Sequence, residues 1–224
     1  MHHGAARIVL VTGASRGIGA EVAQQLASPD THVIVNYREH ATQAHDIAEA
    51  IRRAGGHAST LAADISDETD AAAMIESIAA RFGRLDALIL NASAGVDTEV
   101  APGYAMRLNR DAQRYLARLT MPLMPAGGRI VYVTSNQAHF FPNKAVPKGY
   151  SAVAASKRAG ETALYAMGSA FRHAGVHLTV VSGDLIDGTI AAVNEFAGAI
   201  VNATNTPGPR SIAYVGGANY LAAA

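Results

Sequence analysis

Along the chain, short apolar runs alternate with longer stretches in which apolar positions recur at helical spacing. The runs at 7–11, 32–36, 57–62, 87–90, 129–134, 177–181 and 212–215 read as strands. Most lack the apolar–polar alternation of a strand wet on one face, as Ile8-Val9-Leu10-Val11 illustrates, so both faces of the sheet are expected to be covered. Helical spacing marks 18–27, 43–54, 68–82, 104–122, 152–174 and 190–203. Strand–helix alternation of this kind predicts an α/β fold with a doubly wound seven-stranded parallel sheet as the middle of three layers. Gly55-Gly56, Gly127-Gly128 and Gly175 mark returns from helix to strand, and the stretch 140–149, with Pro142, Pro147 and Gly149, is an element-free loop of the sort that borders active sites.

The length of 224 residues suits one domain over 1–224, with half the residues apolar and 16% charged. Lys plus Arg equals Asp plus Glu at 18 each, and the absence of a basic run argues against a nucleic-acid partner. Without cysteine there are no disulfides, thiolate chemistry or cysteine-ligated metals, so any redox chemistry must come from a cofactor. No signal peptide or membrane span is expected, since no apolar run reaches the roughly 18 residues a span needs, and a cytoplasmic location is the simplest expectation. His2 and His3 at the start are too few to make a metal site, and none is expected.

The first strand runs into Thr12-Gly13-Ala14-Ser15-Arg16-Gly17-Ile18-Gly19, which opens a helix. Gly13 and Gly17 let the backbone turn and approach a pyrophosphate, Gly19 allows close packing, and the helix N-terminus offers unpaired N–H donors, with Ser15, Arg16 and Ile18 beside them. This context reads as a dinucleotide-binding turn of a Rossmann-type three-layer sandwich, with an ordinary glycine turn as the bland alternative. After the second strand comes Asn36-Tyr37-Arg38, without a carboxylate at the strand end to accept from a ribose 2′-hydroxyl. Arg38 and Arg16 can instead clamp a 2′-phosphate, which favours NADP(H), unless both are solvated surface charges.

The turn resembles the Thr-Gly-x-x-x-Gly-x-Gly signature of the short-chain dehydrogenases/reductases, and the resemblance runs over nearly the whole chain. It implies that Asp64, with Ile65 beside it, contacts the adenine ring, although a helix cap or loop carboxylate is the local alternative for Asp64. Asn91-Ala92-Ser93-Ala94-Gly95 resembles the family's Asn-Asn-Ala-Gly motif with Ala92 in place of the second Asn, and Asn91, Ala92 and Ser93 are then cofactor contacts. After the sixth strand, Ser182-Gly183 stands for Pro-Gly, leaving Gly183, Ile186 and Thr189 for the nicotinamide half, with Asp184 and Asp187 nearby. The resemblance also implies a homo-oligomer built on the helices at 104–122 and 152–174.

Three partners of the family's catalytic group are present. The resemblance implies that Ser135 supports an oxyanion, that Lys157 binds the cofactor ribose and activates a tyrosine, and that Asn109 positions a water. The tyrosine expected four residues before Lys157 is Val153, which cannot exchange a proton. Tyr150 is the candidate substitute, although along one continuous helix its seven-residue offset from Lys157 amounts to about 10 Å, too far for direct activation. Its alternative role is packing at the helix entrance. His139 with Phe140-Phe141 lines a substrate pocket or simply packs. Two functions follow: an NADP(H)-dependent oxidoreductase of the carbonyl reductase, or ketoreductase, and alcohol dehydrogenase type, acting on a small carbonyl or alcohol with a non-standard proton donor; or an inactive NADP(H)-binding sensor or interaction protein.

Overall fold

The computed structural model describes residues 7–93, 101–184 and 190–216. The elements in chain order are β1 (Arg7–Val11), α1 (Gly17–Leu26), β2 (Thr31–Tyr37), α2 (Ala41–Arg53), β3 (His57–Ala62), α3 (Glu68–Phe82) and β4 (Ala87–Leu90). There follow α4 (Pro102–Met106), a π-helical segment (Arg107–Ala112), α5 (Gln113–Thr120), a 3-10 turn (Met121–Leu123) and β5 (Arg129–Ser135). The rest is α6 (Asn136–His139), α7 (Ser151–Ala166), α8 (Gly168–Ala174), β6 (His177–Gly183), α9 (Ile190–Asn205) and β7 (Ile212–Val215).

The seven strands are all parallel, in the order β3-β2-β1-β4-β5-β6-β7. Successive side chains of a strand point to opposite faces, so the central strands feed two cores. Ile8, Leu10, Leu88, Leu90 and Ile130 pack toward α3, α5 and α8. Val9, Val11, Ile89, Val131 and Val133 pack toward α1, α2 and α9. On α2 the buried positions Ala44, Ala48 and Ile51 recur at helical spacing, and on α3 the Asp67 carboxylate caps the helix by accepting from the Thr69 and Asp70 amides. This is the Rossmann-type three-layer arrangement expected from the alternating pattern.

Two of the expected helices are corrected. The continuous helix at 104–122 is instead α4, the π-helical segment, α5 and the 3-10 turn. The departure falls where α7 crosses: the Tyr132 hydroxyl donates to the Asn109 carbonyl at 3.3 Å, and a Cβ on Gly160 would overlap that carbonyl oxygen. Those contacts are long-range and leave no trace in local periodicity. The helix at 152–174 is divided at Met167, whose φ of −84° and ψ of 1° end α7 before Gly168 starts α8. The short α6 directly after β5 was not anticipated.

Candidate active site

The strand order reverses between β1 and β4, and ligands of such sheets bind in the crevice beyond the strand ends there. A cleft of about 440 Å³ occupies that place. Its wall includes Gly13, Ser15, Arg16, Asn36, Tyr37, Arg38, Asp64, Ile65, Asn91, Ala92 and Ser93, all named from the sequence. Gly13 (φ 62°) and Gly17 (φ 57°) take left-handed conformations that favour glycine. A Cβ on Gly19 would come within 2.5 Å of the Asn91 Nδ2, so the helix start can approach β4 only without a side chain there.

Several of these side chains are committed to building the cleft. Asn36, 2% exposed, accepts from the Gly13 amide at 3.3 Å and donates to the Leu61 and Ala63 carbonyls at 3.2 Å each, tying the turn to β2 and β3. The Asn91 amide donates to the carbonyls of Thr12 (3.0 Å) and Gly13 (3.2 Å), while the Thr12 hydroxyl accepts from the amides of Asn91 and Ala92. Asp64 Oδ1 accepts from the Ser66 amide and hydroxyl at 2.8 and 2.7 Å, the local loop arrangement weighed against an adenine contact. Ile18 and Gly19 stand in the first turn of α1 rather than in the wall.

At the far end, Arg38 pairs with Glu39 at 2.6 Å, lies 3.8 Å from Asp64, and donates to the Tyr104 hydroxyl. Burial works against its cation, but Tyr104, Glu39 and Asp64 outweigh this and raise its pKa. Glu39, His40, Ala63, Tyr104 and Leu108 are wall residues that the sequence reading missed. A carboxylate is therefore present near the end of β2, one position beyond Arg38. Leu108 is adjacent to the motif residue Asn109, but nothing in the sequence pointed to Tyr104.

A second cluster gathers beyond β5. Ser135 ends that strand and caps α6, its Oγ accepting from the Ala138 amide at 3.2 Å. The Tyr150 hydroxyl lies 3.0 Å from the same Oγ. Tyr150 stands at the N-cap of α7 with φ −87° and ψ −9°, its carbonyl accepting from the Ala154 amide at 2.8 Å. It is buried with Ala138, Val153 and Ala154, Val153 filling apolar space where a phenol was expected. Burial raises the Tyr150 pKa, with the Ser135 hydrogen bond opposing the shift. Burial alone pushes the Lys157 ammonium down to about 8. Asn109 is buried, and its amide donates to the Ser156 hydroxyl at 2.9 Å, which in turn donates to the Val153 carbonyl at 2.8 Å. The Tyr132 hydroxyl joins Asn109 and Lys157 by donating to both backbone carbonyls. Gly183 ends β6 under the Phe196 ring, whereas Ile186 and Thr189 lie outside the described residues. No helix among the described residues is long and apolar enough to cross a membrane.

A profile described as short chain dehydrogenase matches residues 7–207. The chain is 32% identical over 187 residues to the 1-cyclohexenylcarbonyl-CoA reductase of Streptomyces collinus, covering 81% of this chain and 65% of that one. It is 33% identical over 164 residues to a probable tetrahydroxynaphthalene reductase of Zymoseptoria tritici, covering 70% of this chain and 59% of that one. The chain thus matches less than two thirds of the length of either relative. A short-chain dehydrogenase from Burkholderia cenocepacia J2315, solved in complex with NADP, superposes with a TM-score of 0.81 at 25% identity, covering 96% of this chain and 98% of that one. With a match that takes in β1 through α9 and the glycine turn, the chain belongs to the short-chain dehydrogenase family.

Proposed function

We propose that this protein is an NADP(H)-dependent oxidoreductase of the carbonyl reductase and alcohol dehydrogenase type, with Tyr150 as proton donor. The observation that carries the reading is the 3.0 Å contact between the Ser135 and Tyr150 hydroxyls, a paired donor and acceptor at the carboxyl end of the sheet. The reductase names of the relatives and the NADP of the Burkholderia structure point the same way.

The cleft suits a dinucleotide because its glycine turn presents the unpaired amides of α1 and two arginines flank it. The turn from Gly13 to Gly19 would hold the pyrophosphate, Arg16 and Arg38 the 2′-phosphate, Asp64 to Ile65 and Asn91 to Ser93 the adenosine, and Lys157 the second ribose. NADPH, when bound, supplies the hydride that reduces the carbonyl carbon. Tyr150 gives its proton to the carbonyl oxygen while Ser135 donates a hydrogen bond to it. The raised Tyr150 pKa keeps the phenol protonated near neutrality, as a donor requires. The substrate is a small carbonyl or alcohol, and self-association into a homo-oligomer belongs to the same reading.

A second reading, NADP(H) binding without turnover, is favoured by Val153 at the expected tyrosine position and by the lack of any Lys157 influence on the Tyr150 pKa. The two separate in one experiment on purified protein: NADPH and NADH binding by fluorescence, then NADPH consumption with a panel of ketones and quinones. Tyr150→Phe is expected to bind NADPH normally and turn over ~10²–10⁴-fold more slowly, with Lys157→Ala impaired in both. Tight binding without turnover of any panel member establishes the sensor reading instead. Full activity in Tyr150→Phe removes Tyr150 from the mechanism.

A further inference from the structure

Beyond Ser135 lies a cluster that neither the cleft nor the Ser135–Tyr150 pair uses. Glu161 on α7 is 0% exposed, and its carboxylate accepts from the Arg158 guanidinium at 3.0 Å and from His139 Nδ1 at 2.9 Å. An ionised carboxylate only accepts, so the His139 ring proton sits on Nδ1. On the other side of the ring, Nε2 lies 3.0 Å from the Tyr214 hydroxyl. The aromatic rings reinforce the arrangement: His139 meets Phe140 and Tyr214 edge-on at 4.8 and 5.5 Å, and Phe140 stacks on Tyr214 at 6.0 Å. One imidazole thus joins α6, α7 and β7.

We propose that His139 is a positioning residue for proton transfer, holding Ser135 in register with Tyr150; the inference rests on Tyr150 being the donor. The case begins with α6, whose four residues make barely one turn and cannot fix their own direction. Its N-cap is Ser135 itself, so the direction of this turn sets where the serine hydroxyl points. One end is tied to β6, where the Asn136 amide accepts from the Ser182 hydroxyl at 2.8 Å and donates to Asp184 at 2.9 Å. His139 ties the other end to Glu161, on the helix that Tyr150 leads into. The bond from His139 to Glu161 therefore joins the turn bearing the serine to the helix bearing the phenol. A buried carboxylate is costly unless paired, which gives this joint a strong preference for one geometry.

The test compares wild type, His139→Ala, His139→Asn and Tyr214→Phe. His139→Ala loses both ties and is expected to lower kcat about 10–100-fold, the scale of a small misplacement of reacting groups, while NADPH affinity stays within about twofold. His139→Asn keeps an N–H for Glu161 and recovers most of the rate, and Tyr214→Phe falls between. A readout independent of turnover is hydrogen exchange at the Ala138 amide, which donates to Ser135; in His139→Ala it quickens about tenfold or more while the glycine turn is unchanged. An Ala138 amide as protected as in wild type, a kcat within about twofold of wild type, or NADPH affinity lost in proportion to kcat overturns the proposal. A wild-type protein without turnover overturns the oxidoreductase reading, and the exchange measurement then decides on the ties of α6 alone.

Discussion

Lys157 is the residue whose state most limits the proposed chemistry. Burial brings its pKa down to about 8, so the ammonium proposed to hold the cofactor ribose is lost just above neutrality. Where the charged form is required, kcat/KM for the carbonyl falls about tenfold per pH unit above that value, and a pH–rate profile measures this directly. An alkaline limb near the ordinary lysine value would mean that the amine is not needed charged. The same shift acts on stability with a definite sign. The native amine releases its proton at about 8 and the unfolded one near 10.5, so between those values the unfolded chain holds more protons. Stability contributed at this site therefore rises with pH through that window, and a Lys157→Met variant loses that slope in urea unfolding followed from pH 7.5 to 10.5. Tyr150 illustrates the opposite effect of burial, which protects the proton that a donor must carry.

At the scale of elements, the crossing of α7 over the π-helical segment is the joint on which the second cluster depends. Gly160 lets the two backbones approach until a Cβ would overlap the Asn109 carbonyl and come within 2.8 Å of the Tyr132 hydroxyl. Neither neighbour is a flexible chain end. Gly160→Ala is expected to destabilise the protein by about 3 kcal/mol, the upper range for overpacking, because helix backbone must move. Chemical denaturation measures the loss, and unchanged stability would mean that the crossing opens freely. The Asn109 carbonyl, in the π-helical segment, accepts from the Tyr132 hydroxyl, which also holds the Lys157 carbonyl, so widening the crossing disturbs the lysine's backbone as well. A change at Gly160 should therefore depress turnover, and it also reaches the cleft wall through Leu108, which lies on the same π-helical segment.

At the scale of the whole molecule, the reversal of strand order opens a cleft whose far end is electrostatically balanced: Arg38 is held by Glu39 and Asp64. A 2′-phosphate brings a stronger anion to the same guanidinium, whereas a 2′-hydroxyl does not. Arg38→Ala is expected to weaken NADPH binding about 10–100-fold, from the roughly 1.5–3 kcal/mol of a hydrogen bond to a charged group, while NADH binding changes little. Fluorescence titration with both cofactors checks it, and equal losses for the two would sink the phosphate role. Salt screens exposed charge, so the NADPH preference should also narrow as ionic strength rises.

The repeating part of this architecture was legible from the chain alone because it is local. Apolar runs such as Ile8-Val9-Leu10-Val11 and the helical spacing of Ala44, Ala48 and Ile51 are written in neighbouring positions, and the turn from Gly13 to Gly19 announces itself through backbone conformations that glycine favours. Most of the cleft wall followed, since family motifs sit at fixed places in that frame. What depended on distant contacts was hidden: Glu39 and Tyr104 in the wall, the π turn at Asn109, and the tie from His139 to Glu161. Tyr150 marks the boundary. The chain displayed a tyrosine at the wrong spacing from Lys157, and only the tertiary structure, by setting the start of α7 beside the end of β5, brought the phenol to Ser135. Helical spacing relates residues along one helix, whereas the meeting of Tyr150 with a serine on another element is decided by packing against Ala138, Val153 and Ala154.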